Sequence, residues 1–119
     1  MTQARVCLTY DFDAVSLPLW VFDAWDAPTM LSRGLFGADV GVPRLLDLHD
    51  KYDVPATFFT TGHTIDSFEE RAGEIHDRGY DLQHHGWDHI SPVDYDSREE
   101  EREDLVRGIE SIRDLTGEK

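Results

Sequence analysis

Hydrophobic positions along the chain fall into two alternating patterns. Residues 5–10 (RVCLTY), 54–60 (VPATFFT) and 80–84 (YDLQH) are short runs rich in β-branched and aromatic side chains, the mark of strands. Between them the apolar spacing turns helical. Pro43 suits a first helical turn, and Leu45, Leu46, His49 and Tyr52 recur at the helical period behind it. Ser67 with Glu70 has the form of a capping box; Phe68, Ala72 and Ile75 then share one face, and Gly79 is a natural stop. Ser97 with Glu100 opens a last helix in the same way. Leu105, Ile109 and Ile112 form its expected buried stripe, and Gly117 its end. Residues 14–41 carry Pro18, Pro28, Gly34, Gly37 and Gly41 and predict an irregular connection.

The resulting order is β–loop–α–β–α–β–loop–α. Strands joined through helices build a parallel sheet with right-handed crossovers, so the predicted class is α/β. Ligands of such sheets gather at the carboxyl ends of the strands.

Composition narrows the function classes. The 119 residues include 25 Asp and Glu against 11 Lys and Arg, a formal charge of −14. A nucleic-acid phosphate backbone would be repelled by such a surface. Acid-rich, lysine-poor surfaces suit concentrated salt, where screening suppresses self-repulsion, so a halophilic source is an expectation. No apolar run has the length of a membrane span, and Met1–Val6 lacks the apolar stretch of a secretory signal. The single Cys7 makes no internal disulfide, so the cytoplasm is the expected compartment, with Cys7 a small buried hydrophobe in the first strand.

Two segments carry candidate chemistry. Asp11 and Asp13, two positions apart at the carboxyl end of the first strand, point the same way if strand geometry persists. Taken alone they also read as ordinary turn residues, the commoner case. His85 and His89 follow the third strand, and imidazoles four apart share a face across one helical turn, which lets both reach one metal. Alone, that pair reads more often as a polar loop. Together the two segments land on the same rim and offer two imidazoles and two carboxylates, the format of an open catalytic metal site.

Here the residues resemble a family. Thr9-Tyr10-Asp11-Phe12-Asp13 is similar to the Thr-Phe-Asp-Asp motif of the polysaccharide deacetylase (NodB-homology, carbohydrate esterase family four) domain, with one residue inserted between the acids. His85-Gly86-Trp87-Asp88-His89 resembles its His-Ser/Thr-x-x-His motif, with Gly in place of the hydroxyl residue. Pro55-Ala56-Thr57-Phe58-Phe59 looks like its second strand, and the spaced acids with Gly62-His63 resemble the branch of cytoplasmic peptidoglycan-deacetylase-like, allantoinase-like and cyclic imide hydrolase proteins. The resemblance implies a partial (β/α) barrel, with residues 1–119 the N-terminal part of a single domain that stops before the later strands. It implies Asp11 as catalytic base and Asp13, His85 and His89 as ligands of a divalent metal, zinc or another first-row ion. The implied reaction is hydrolysis of non-peptide C–N bonds, on N-acetylated carbohydrate or a small cyclic amide. The family's Arg/Pro motif, later Asp and late His have no counterpart in residues 90–119, so a metal-binding fragment without turnover is the third reading. The open sheet edge left by the absent strands is a place for pairing with another copy of the chain.

The remaining residues have plainer expectations. His49 and His76 are read as surface or boundary groups on helices, and His84 as structural, turned away by strand alternation. His63 lies on the active rim, as a substrate contact or a loop residue. Trp20, Phe22 and Trp25 either line a substrate pocket or cover the mouth of the barrel.

Overall fold

The computed structural model describes residues 3–118. Its centre is a three-stranded, fully parallel sheet in the order β1 (Thr9–Phe12), β2 (Thr57–Thr60), β3 (Asp81–His84). The register aligns Thr9 with Thr57 and Asp81, and Phe12 with Thr60 and His84. Every connection passes through helix, as a parallel ladder requires.

The first strand begins later than the apolar run at residues 5–10 predicts. Thr9 already pairs with Thr57, the first residue of β2, and Leu8 only lends its carbonyl to the Thr57 N–H, so residues 5–8 precede the paired strand. They are exposed, Cys7 included, which corrects its expected burial. Helix also replaces the irregular connection expected over residues 14–41. A π-helical turn, Leu17–Val21, is followed by α1 (Pro28–Phe36), a second π-helical turn (Gly37–Gly41) and α2 (Val42–Tyr52), the last three continuous. Pro28 stands in the first turn of α1, where a missing N–H costs nothing, and the glycines each weaken a helix by only about 1 kcal/mol relative to Ala.

The core lies between sheet and helices. Phe12, Phe58 and Leu82 from the strands meet Val42 and Leu46 of α2, Ile65 of α3 (Gly62–Ser67), and Ala72 and Ile75 of α4 (Glu69–Asp77). On α2, Leu46 is buried as its spacing predicts, but Tyr52 is exposed and His49 is buried. Val54's carbonyl accepts from His49 Nδ1 at 2.8 Å, so in the neutral ring Nε2 is left to accept from the Tyr10 hydroxyl at 2.9 Å. A paired imidazole is cheap to bury, and that pairing was invisible in the helical pattern.

The capping box expected at Ser67 and Glu70 does not form. Thr61 caps α3 instead, accepting from the Thr64 N–H, while Ser67 ends that helix with its hydroxyl 3.4 Å from His63 Nε2. The last helix, α5 (Arg98–Thr116), has its expected cap at Ser97 and its stop at Gly117. Its buried face differs: Asp104, Gly108 and Ser111 point inward, while Leu105 and Ile109 are exposed and Ile112 is half-buried. Gly108 belongs on this face because α5 passes close to the end of β3, where a Cβ would stand 2.5 Å from His84 Nε2 and 2.8 Å from the Gly86 carbonyl oxygen.

Candidate metal centre

One residue beyond the aligned row of Phe12, Thr60 and His84, the chain leaves the sheet at Asp13, Thr61 and His85. The sheet therefore delivers a carboxylate and an imidazole to one rim, as the register dictates. The backbone of Asp13 is held firmly. Its carbonyl accepts from the Ser16 N–H (2.8 Å), the Ser16 hydroxyl (2.7 Å) and the Thr64 hydroxyl (2.6 Å). Ser16, Thr61 and Thr64 are fully buried and hydrogen-bonded to one another, a polar knot beneath the site.

With its main chain spoken for, Asp13 presents its carboxylate to the histidines. His85 Nε2 is 3.8 Å from Oδ1, and His89 Nε2 is 3.4 Å from Oδ2. One ligand atom from each of Asp13, His85 and His89 lies within 4.8 Å of the others. The two imidazoles stand edge to face with ring centres 5.1 Å apart. Asp13 Oδ1 is buried and has no hydrogen-bond partner among the described residues. Two donors each about 2.1 Å from one tetrahedral ion stand roughly 3.4 Å apart, so these separations fit a shared first-row cation. The Asp13 carboxylate raises the pKa of His89, against the opposing effect of burial.

Asp11 is exposed on the face of β1 opposite the core residues Tyr10 and Phe12, and its charge also reaches His89. Phe12, the residue inserted between the acids, turns into the core and so leaves Asp11 on the solvent side beside the site.

The His85–His89 segment is an irregular bend, not the helical turn its spacing suggests. Gly86 has φ +75°, and a Cβ there would stand 3.0 Å from Asp104 Oδ2 and 3.1 Å from the Asp88 carbonyl oxygen. The hydroxyl residue of the resembling motif is therefore replaced for a reason: this bend needs a glycine. Burial first, and the Asp104 charge second, push the Asp88 carboxyl above its ordinary range.

An aromatic group roofs one side of the rim. Trp20 packs edge-on against His63 (4.7 Å), Trp25 (5.4 Å) and Trp87 (6.0 Å), and the Arg107 guanidinium lies 3.0 Å over the Trp87 ring. Burial lowers the pKa of His63, and its Nδ1 is buried without a partner among the described residues. His84 is structural as expected, its Nε2 reaching the Leu105 carbonyl at 3.1 Å. His76 is half-buried on α4, away from the cluster. Sequence reasoning did not find Ser16, Thr64, Trp87 or Asp104, because they touch the site only through hydrogen bonds and packing made by the fold.

The polysaccharide deacetylase family model matches residues 25–119, which takes in both histidines and begins after the acids. The Helicobacter pylori protein named Peptidoglycan deacetylase is 43% identical over 115 residues, covering 97% of this chain and 39% of its own length. A crystal structure from Mycobacterium smegmatis, assigned to the polysaccharide deacetylases, superposes with a TM-score of 0.86 at 37% identity, covering 94% of this chain and 39% of that one. The allantoinase Puue shares the fold, with a TM-score of 0.80 at 21% identity over 95% of this chain and 43% of its own. The chain thus spans about two fifths of the length of the relatives it matches. With the α/β fold, the matching motifs and these relatives in agreement, the chain belongs to the polysaccharide deacetylase family.

Proposed function

We propose that this protein is a metal-dependent hydrolase of non-peptide C–N bonds that removes N-acetyl groups from carbohydrate. Asp13, His85 and His89 would hold one divalent cation, and Asp11 would act as general base. The observation that carries the reading is the convergence of the three donors within 4.8 Å around a buried carboxylate oxygen that has no hydrogen-bond partner among the described residues. Two imidazoles and a carboxylate suit zinc or a neighbouring first-row ion. Such an ion supplies Lewis acidity toward a carbonyl oxygen and makes water a stronger acid.

The chain's own residues do the rest. Asp11, exposed to solvent beside the site, accepts the proton of the attacking water, the role of a general base. The Ser16–Thr64 knot fixes where Asp13 stands, so little reorganisation is needed when charge develops. Trp20 and Trp25 offer flat apolar faces beside the rim, against which a sugar ring can stack. The 43% identical relative named Peptidoglycan deacetylase supports an N-acetylated polymer as the substrate class.

The test is acetate release from N-acetylglucosamine oligomers and peptidoglycan, run beside ring opening of cyclic imides, with and without chelator. Chelator-sensitive acetate release is expected. Turnover confined to cyclic imides would move the substrate to a small cyclic amide. Full activity in chelator would end the metal reading.

A further inference from the structure

The bend that carries the two histidines has no helix or strand ladder of its own, so something outside it must set its shape. On one side the N–H groups of Gly62 and His63 donate to the carbonyls of Gly86 (2.8 Å) and Trp87 (3.1 Å). On the other side stands α5. Asp104, 8% exposed, accepts from two consecutive peptide groups: the Trp87 N–H to Oδ2 at 3.0 Å and the Asp88 N–H to Oδ1 at 2.7 Å. One turn further along the same helix face, Gly108 lies against the start of the bend. A Cβ there would stand 2.5 Å from His84 Nε2 and 2.8 Å from the Gly86 carbonyl oxygen. The bend is therefore clamped between the start of α3 and the face of α5, and on the α5 side one carboxylate holds its Trp87 and Asp88 N–H groups.

We propose that Asp104 is a positioning residue for the metal centre: by holding the Trp87 and Asp88 N–H groups together it fixes the separation of His85 from His89. This rests on the reading that both imidazoles share one cation. Two consecutive N–H groups call for two acceptor oxygens at a fixed spacing, which a carboxylate supplies and an amide does not. With one N–H released, the bend is free to relax toward other conformers, and only a fraction of molecules present both ring nitrogens to one ion. Among the described residues Asp104 makes no ion pair with either histidine and stands outside the ligand group; it acts through the peptide groups between them.

The test compares cobalt(II) binding, read from its visible absorption and by competition with a chromophoric chelator, in the full protein and in its Asp104→Asn and His85→Ala variants. Circular dichroism and cation-free thermal unfolding run alongside. Asp104→Asn is expected to keep its helical spectrum while binding cobalt about ten- to a hundredfold more weakly, the usual effect of losing an outer partner of a metal site. Its cobalt spectrum should also shift, which loss of stability alone would not cause. Binding as tight as in the parent, with His85→Ala defective, overturns the positioning role and leaves the ligand assignment standing. A parent that binds no cobalt brings down the ligand assignment and this inference with it. Should Asp104→Asn fail to fold, Asp104→Glu decides, since it keeps two oxygens but displaces them: weaker cobalt binding in a folded variant supports the role, and parent-like binding overturns it. Failure of both variants to fold assigns Asp104 to stability alone and also overturns it.

Discussion

The two ends of the sheet hold histidines in opposite states of completion. At the amino end, both nitrogens of His49 are used, by Tyr10 and by the Val54 carbonyl. Around it Arg78 pairs with Asp50 (2.6 Å), Asp47 (2.9 Å) and Glu74 (3.0 Å), and the Tyr80 hydroxyl donates to Asp50. The Tyr80 hydrogen bond, with Arg78 behind it, holds Asp50 below the usual carboxylate range, and burial with Asp50 pushes Tyr80 up to about 12. At the carboxyl end the polar groups are left open. Asp13 Oδ1, Thr60 Oγ1, His63 Nδ1 and Asp88 Oδ1 are all buried there without a partner among the described residues. Cavity size points the other way: a groove of about 640 Å³ lies at the amino end, and one of about 260 Å³ beside His85 and His89. Unsatisfied donors and acceptors are the better guide, because a buried polar atom without a partner costs about 1–3 kcal/mol unless a ligand meets it.

That contrast is broken most directly at the open end. His85→Ala or His89→Ala should abolish stoichiometric cation binding, measured by elemental analysis after dialysis, and reduce hydrolysis to background. Unchanged metal content would remove both residues from the ligand set. Asp11→Asn should keep the cation and lower kcat by roughly 10²–10⁴-fold, the range for loss of a general base. A variant of wild-type kcat would leave Asp11 with no catalytic part.

The closed end should respond in the opposite currency. His49→Ala leaves the Tyr10 hydroxyl and the Val54 carbonyl without their partner, and should cost on the order of 2 kcal/mol in chemical denaturation. Its cation affinity should stay that of the parent; a large drop would mean that the two ends are coupled.

Proton binding sharpens the comparison further. His89 is held above the ordinary imidazole value by Asp13, so in the cation-free protein this pair stabilises the fold at acidic pH. That contribution fades as pH rises through the raised value. Cation affinity moves the other way, rising over the same window as His89 loses its proton. A ring titration by NMR should place His89 above ordinary histidine, and Asp13→Asn should bring it down; a midpoint already at or below ordinary would contradict the geometry. Smallest of all, Arg78→Ala should lower the thermal midpoint only slightly, and less in molar salt, because its partners are largely exposed.

Particular residues mark where sequence reading stops. Asp13, His85 and His89 were legible because two local motifs come directly after strands, and parallel strands all release the chain at one rim. The conformation between the histidines was not, since it depends on Gly86 at positive φ and on an acceptor sixteen and seventeen residues downstream. The helix at Pro28–Phe36 was hidden by residues read as breakers, although proline belongs in a first turn. The inward face of α5 was misjudged because burial there depends on how closely helix and bend approach, and hydrophobicity is silent about distance. By itself the sequence determined the three strands and their parallel order, the side chains proposed as cation ligands and the end of the sheet where they emerge, all properties of short segments. Only the tertiary structure decided which histidines are already paired and which remain open, because a ring nitrogen is satisfied by whatever the fold brings to it.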